Sequence, residues 1–115
     1  SVMSKVKYTS NRQEVKQRMD NANKNLLTAI GMAASTHVKQ MIQAKDLIDT
    51  GALLSSIDHA TDDKSAFVGS KLTDEDYPIY LEKGTSKMPA NPYIEPGIMD
   101  NLSNLRSVAE RNYKL

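Results

Sequence analysis

The sequence predicts an α+β fold: a long N-terminal helix, a small antiparallel β-sheet or hairpin, a constrained proline loop and a C-terminal helix. Three observations carry that prediction. From Val15 to Met41 apolar residues recur at spacings of three or four, the period of one helix face. Between Ser55 and Ser70 the pattern changes to alternation around an Asp62-Asp63-Lys64 turn, which reads as two strands. Pro89, Pro92 and Pro96 then constrain the chain ahead of a second run with helical spacing. The chain is 115 residues long and has no internal repeat, so a single domain with a modest core is expected.

Taken in order, residues 1–9 read as a flexible basic arm, with Met3 as the native start. The long helix is expected over 10–45, capped by Ser10 with Gln13 or by Asn11 with Glu14. Its stripe is Val15, Met19, Ala22, Leu26, Ala29, Ala33, His37 and Met41. At 1.5 Å per residue such a helix spans roughly 50 Å, whereas a compact domain of this size has a radius of gyration of about 13 Å. The helix must overhang the body or bend, and Gly31 is the expected weak point.

A β-rich region follows over 49–85. Ile57, His59 and Thr61 share one face of the first strand (55–61), and the second strand covers 65–70. Residues 71–76 form an acidic loop. Tyr77, Tyr80, Leu81 and Gly84 have the spacing of one helical turn, with Pro78 near its start and Gly84 at its end. The proline loop spans 86–96. The C-terminal helix, 94–112, is marked by Ile94, Ile98, Leu102, Leu105, Val108 and Ala109.

Composition narrows the function classes. Apolar residues make up 39% of the chain, with one Phe and no Trp, against about 45–50% in an ordinary globular protein. A lean core implies an elongated shape or a surface completed by a partner. No apolar run of membrane-spanning length and no signal-peptide pattern is present, so a soluble, cytoplasmic protein without a membrane partner is expected. The absence of cysteine excludes a disulfide framework and thiol catalysis. The net charge of +1 conceals blocks: residues 1–45 carry eight basic and two acidic side chains, residues 46–82 two basic and nine acidic. Such asymmetry suits head-to-tail association of copies. It is equally compatible with solvated surfaces.

Candidate chemistry is thin. Asp49-Thr50-Gly51 is the signature of aspartic proteases, in which two carboxylates share a proton. Those enzymes are nearly all β, however, and a long helix precedes the motif here; Asp49 capping a turn that bends at Gly51 is the plainer reading. His37 on the helix stripe and His59 on a strand have no metal-ligand spacing and read as half-buried structural residues. Asp74-Glu75-Asp76 lacks the alternate-position ligands of a calcium loop. Glu82 and Glu95 have no nucleophile or base beside them, and no phosphate-binding glycine loop occurs. No catalytic residue, metal or cofactor is expected. Lys5, Lys7, Arg12, Lys16, Arg18 and Lys24, with Tyr8 among them, would suffice for phosphate contacts. A nucleic-acid-binding role is therefore the alternative.

Two motifs together carry a family resemblance. Asp49-Thr50-Gly51-Ala52-Leu53-Leu54-Ser55-Ser56-Ile57 resembles a D-T-G-x-L-x-x-S-I pattern. Tyr80-Leu81-Glu82-Lys83-Gly84-Thr85-Ser86-Lys87-Met88-Pro89-Ala90-Asn91-Pro92-Tyr93-Ile94 resembles Y-x-E-[aromatic]-G-T-x-x-M-x-A-x-P-[aromatic]-[apolar]. Between them lies a V-G-[ST] strand end, Val68-Gly69-Ser70. The succession is similar to the small neck and tail-component proteins of tailed bacteriophages, with Lys83 departing where the family has an aromatic residue.

The resemblance implies a non-enzymatic virion assembly protein in head–tail joining or tail completion. It would be built in the bacterial host cytoplasm and reside in the virion neck or tail. Partners would be connector or head-completion and tail proteins, with further copies forming a homo-oligomeric ring; the isolated chain could remain a monomer. Contact with phage DNA stays open. Asp49, Thr50, Gly51, Leu53, Ser56, Ile57, Gly69, Tyr80, Glu82, Gly84, Thr85 and Pro92 are the motif positions. Arg12, Lys16 and Arg18, at a helix start where the macrodipole prefers anions, are candidate interface residues. Met88, Pro89 and Tyr93 join them, on a loop whose prolines limit the entropy lost on docking.

Overall fold

A computed structural model describes residues 2–45, 50–73, 75–81 and 91–115, and the side chains among these other than 2–11, 50 and 75. The element order is α1 (Val2–Ala44), α2 (Thr50–Ser56), β1 (Ile57–Thr61), β2 (Ala66–Ser70), β3 (Glu75–Pro78), α3 (Ile94–Met99) and α4 (Leu102–Asn112). This is the α+β architecture expected: a long N-terminal helix, a three-stranded antiparallel sheet in the order β1-β2-β3, and C-terminal helices.

Helix α1 organises everything else, because β1, β2, α3 and α4 all pack against it. It runs unbroken for 43 residues, from Val2 rather than Ser10. No proline or glycine interrupts it before Gly31, so nothing stops the helix at the expected caps or leaves 1–9 as a loose arm. The molecule accordingly measures 71 × 24 × 23 Å, with a radius of gyration of 18.2 Å, well above the roughly 13 Å of a compact chain of this length.

The buried side chains of α1 are Ala22, which lies on the expected stripe, Ser35, and Ile30, Ala34, Val38 and Ile42, which from Ile30 onward run one residue to its side. Ala29, Ala33, His37 and Met41 are half-buried beside them. The displacement has a physical reason. The sheet meets the helix at Gly31 and α3 meets it at Val38, seven residues on and so on nearly the same line, with α4 joined at His37; the buried arc is wider than one stripe and follows these contacts. Towards the N-terminus the cover ends, and residues 12–21 are all exposed, Val15 and Met19 included.

Gly31 is not a bend. A Cβ placed there would lie 2.9 Å from His59 Cδ2 and 3.2 Å from His59 Cβ; the glycine lets β1 press onto the helix. Gly97 does the same for α3, where an added Cβ would lie 2.9 Å from Val38 Cα. The His59 side chain on Gly31 and the Gly97 backbone on Val38 therefore fix how the sheet and α3 seat on α1.

The β region is more mixed than the alternation implied. Residues 50–56 are helical, so Gly51 lies within α2 rather than bending the chain into a strand, and β1 begins at Ile57 instead of Ser55. Adjacent Leu53 and Leu54 both pack against the core, which a single strand face cannot achieve. The turn after β1 is as read: Asp62 N donates to Ser65 O, and Asp62 Oδ1 accepts from the amides of Lys64 and Ser65 at 2.8 and 2.6 Å.

The helical turn expected from Tyr77 is instead strand β3. Tyr77 and Ile79 are buried while Pro78 and Tyr80 are not, a period of two that the 77/80/81/84 spacing had masked. Pro78 is tolerated because β3 is an edge strand, and Ile79 N still donates to Ala66 O at 2.9 Å. Strand β3 also starts inside the segment read as an acidic loop.

The C-terminal helix is split. Asn101, at φ −123° and ψ 17°, leaves the helical region, and its Nδ2 donates to Gly97 O at 2.8 Å. Its own carbonyl then accepts from Leu105 N to start α4. Pro96 sits inside α3 at the third residue, where the missing N–H has no intrahelical acceptor to lose. Ile94, Ile98 and Leu105 join the core, as their spacing indicated.

Candidate assembly interface

The first motif segment and the Val68-Gly69-Ser70 strand end fold against each other. Leu53 and Ile57 pack in the core. Ser56, buried between them and the sheet, donates to Leu53 O at 2.6 Å and lies 2.8 Å from Ser70 Oγ. Ile57 is also the register partner of Ser70. The first motif is thus bolted to the strand end Val68-Gly69-Ser70. Thr50 opens α2.

The third motif is held at both of its described ends. Where the chain enters it, Leu81 O accepts from Arg106 Nε of α4 at 2.7 Å. Where it leaves, Asn91 Oδ1 accepts from the amides of Tyr93 and Ile94 at 2.9 and 2.8 Å, and Asn91 Nδ2 donates to Tyr77 Oη at 3.4 Å. Asn91 closes an Asx turn that launches α3. Tyr93 packs against the core, while Pro92 is exposed and Tyr80 is 48% exposed. Asp49, Glu82, Gly84, Thr85, Met88 and Pro89 lie outside the described residues.

Arg106 and Asn91 were passed over in the sequence. An asparagine two to three residues ahead of a helix start is a usable signal for the second. Arg106 had none, because its partner is a backbone carbonyl 25 positions away.

Arg12, Lys16 and Arg18 are exposed on the projecting part of α1. The two histidines are far apart in role: His37 Nε2 donates to Asn104 Oδ1 at 2.7 Å, joining α1 to α4, and His59 lies over Gly31. Among the described residues no group of three or more His, Asp or Glu could hold a metal ion. No helix there is long and apolar enough to cross a membrane.

The sheet has an inner face on α1 and an outer face. Register places Asp58, Gly69 and Asp76 in one row of the outer face, and Ala60, Phe67 and Pro78 in the next. With no side chain on Gly69, the first row is notched, and a cavity of about 190 Å³ opens there, lined by Asp58, His59, Ala60, Gly69, Ser70, Lys71 and Asp76. The backbone amide of His59 donates to Asp58 Oδ1 at 2.8 Å and holds that carboxyl below the ordinary aspartate range. Partial desolvation opposes this and the Lys71 ammonium, 3.7 Å away, adds to it. A carboxyl lowered in this way contributes to stability above its ordinary titration range, and the contribution is lost as pH falls through the lowered value.

Comparison with known proteins finds no family model, no curated protein and no solved structure that matches this chain.

Proposed function

We propose that the chain is a non-enzymatic virion assembly protein of a tailed bacteriophage or prophage, acting in head–tail joining or tail completion through protein–protein contacts. The observation that carries this reading is the projecting half of α1. Residues 12–21 are exposed, with Val15 and Met19 open to solvent. None of these residues is buried, and a helix of such length is stabilised chiefly by packing. Its cover comes from other molecules.

Two further features support the reading. Of the motif segments that resemble the phage family, the first contacts the Val68-Gly69-Ser70 strand end, so their spacing matches a folding requirement. The residues that flank the proline-rich segment are tied to the body, Leu81 to Arg106 and Asn91 to Tyr77. In this reading the protein works in the virion neck or tail after assembly in the host cytoplasm. Its neighbours are connector or head-completion and tail proteins, together with further copies in a ring.

Reversing Arg12, Lys16 and Arg18 to glutamate tests the electrostatic part. Infectious titre in a complementation assay is expected to fall about tenfold or more, the effect of losing one or two close interfacial charge pairs. The thermal melt should stay within a few degrees, because these side chains are exposed. Unchanged titre would remove the basic helix from the interface.

The same exposed basic side chains favour one second reading, a nucleic-acid-binding accessory protein. Tight DNA binding at physiological salt, weakening steeply as salt rises, would favour that reading over the first.

A further inference from the structure

The outer face of the sheet and the projecting half of α1 are complementary, and we infer that in the assembly each copy lays the projecting half of its α1 on the outer sheet face of the next copy. This rests on the assembly reading above and specifies the contact between like subunits.

The sheet side offers two parallel rows. Ala60, Phe67 and Pro78 form an apolar one, and Asp58 and Asp76 flank the Gly69 notch in the other. Asp58, Ala60 and Asp76 are exposed. The rows are two residues apart along the strands, roughly 7 Å, and the two aspartates are two strand spacings apart, roughly 9.5 Å. That is a gap for one long basic side chain between two carboxylates. Lys71 pairs with Asp58 only at 3.7 Å and is itself 72% exposed. A guanidinium entering the notch would make the stronger, forked contact.

The helix side carries the counterpart. Val15 and Met19 lie one turn apart on one line, and at 100° per residue Lys16 and Arg18 fall on either side of it. With Val15 and Met19 seated on Ala60, Phe67 and Pro78, a basic side chain on one flank reaches the aspartate row. A helix is roughly 10 Å across, which spans both rows.

The occupant is a second copy because the chain's own α1 cannot reach this face. Helix α1 is continuous, and its later half is already packed on the inner face, where Gly31 meets His59. Donor and acceptor surfaces differ, so the contact is head-to-tail: each copy gives a helix and receives one. Such contacts close into rings or extend as filaments.

The sequence contains no cysteine, so introduced ones report cleanly. M19C and A60C variants, both at exposed positions, are mixed at the highest soluble concentration and oxidised mildly. The mixed disulfide should exceed both homodisulfides. It should also exceed, by about tenfold, the yield from M32C with A60C, since Met32 is exposed on another part of α1. D58K with D76K in the A60C partner should abolish the excess, and K16E with R18E in the M19C partner should restore it. A yield no higher than the Met32 pair, or one indifferent to these charges, overturns the contact, whether DNA or a different protein occupies the helix. The outcome is separable from that of the assembly reading. A missing cross-link leaves a joining role intact, whereas a dispensable gene with a strong cross-link removes the joining role and keeps the self-contact.

Discussion

Ile98→Ala is expected to destabilise the fold by about 3–4 kcal/mol, within the range for truncating a buried isoleucine. Ile98 is fully buried in the cluster that joins α1, the sheet and α3. Its carbonyl also accepts from Asn101 N at the break before α4, so the site is held from two sides and has little freedom to collapse into the cavity. A loss of that size lowers the melting temperature by roughly 12 °C or more. Urea unfolding checks it: the midpoint should fall with an unchanged slope. A loss under 1 kcal/mol would mean that α3 does not seat on α1 as described.

Gly97→Ala is the second large effect, and its sign separates packing from helix propensity. In an open helical position alanine is favoured over glycine by about 0.5–1 kcal/mol. At Gly97 the new methyl would stand 2.9 Å from both Val38 Cα and Val38 Cγ2. A backbone atom of a long helix cannot step aside, so overpacking of about 1–3 kcal/mol applies at its upper end. The net expectation is a loss of about 2 kcal/mol, after the propensity gain is subtracted. Gly51→Ala is the matched control. Nothing lies within 4 Å of its added Cβ, and alanine there should stabilise by about 0.5–1 kcal/mol. Opposite signs at two helical glycines are the expected result; equal signs would contradict the α1–α3 approach.

How much of this was legible follows from which signals are local. The long helix, the Asp62 turn and the apolar positions Ile94, Ile98 and Leu105 were readable because period and turn chemistry are written in neighbouring residues. The one-residue displacement of the α1 face was not, since it depends on where β1 and α3 meet the helix, at Gly31 and Val38. Strand β3 was lost to an accidental helical spacing. Its true pattern, Tyr77 and Ile79 in with Pro78 and Tyr80 out, is visible in hindsight as period two.

Gly31 and Gly97 are alike in sequence to any helix breaker. Only the positions of His59 and Val38 give them meaning. Of the candidate interface, the basic side chains at Lys16 and Arg18 could be read directly. The outer sheet face could not, because Asp58, Gly69 and Asp76 become a row only through strand register.

The most direct test of the assembly role is to delete the gene from its parent phage or prophage, induce lysis and image the particles by electron microscopy. Filled heads and tails lying unjoined, or tails with aberrant ends, are the expected result, with joined particles restored by the gene in trans. Intact, infectious virions from the deletion would contradict the role, and the exposed basic helix would then have to be explained by a different partner.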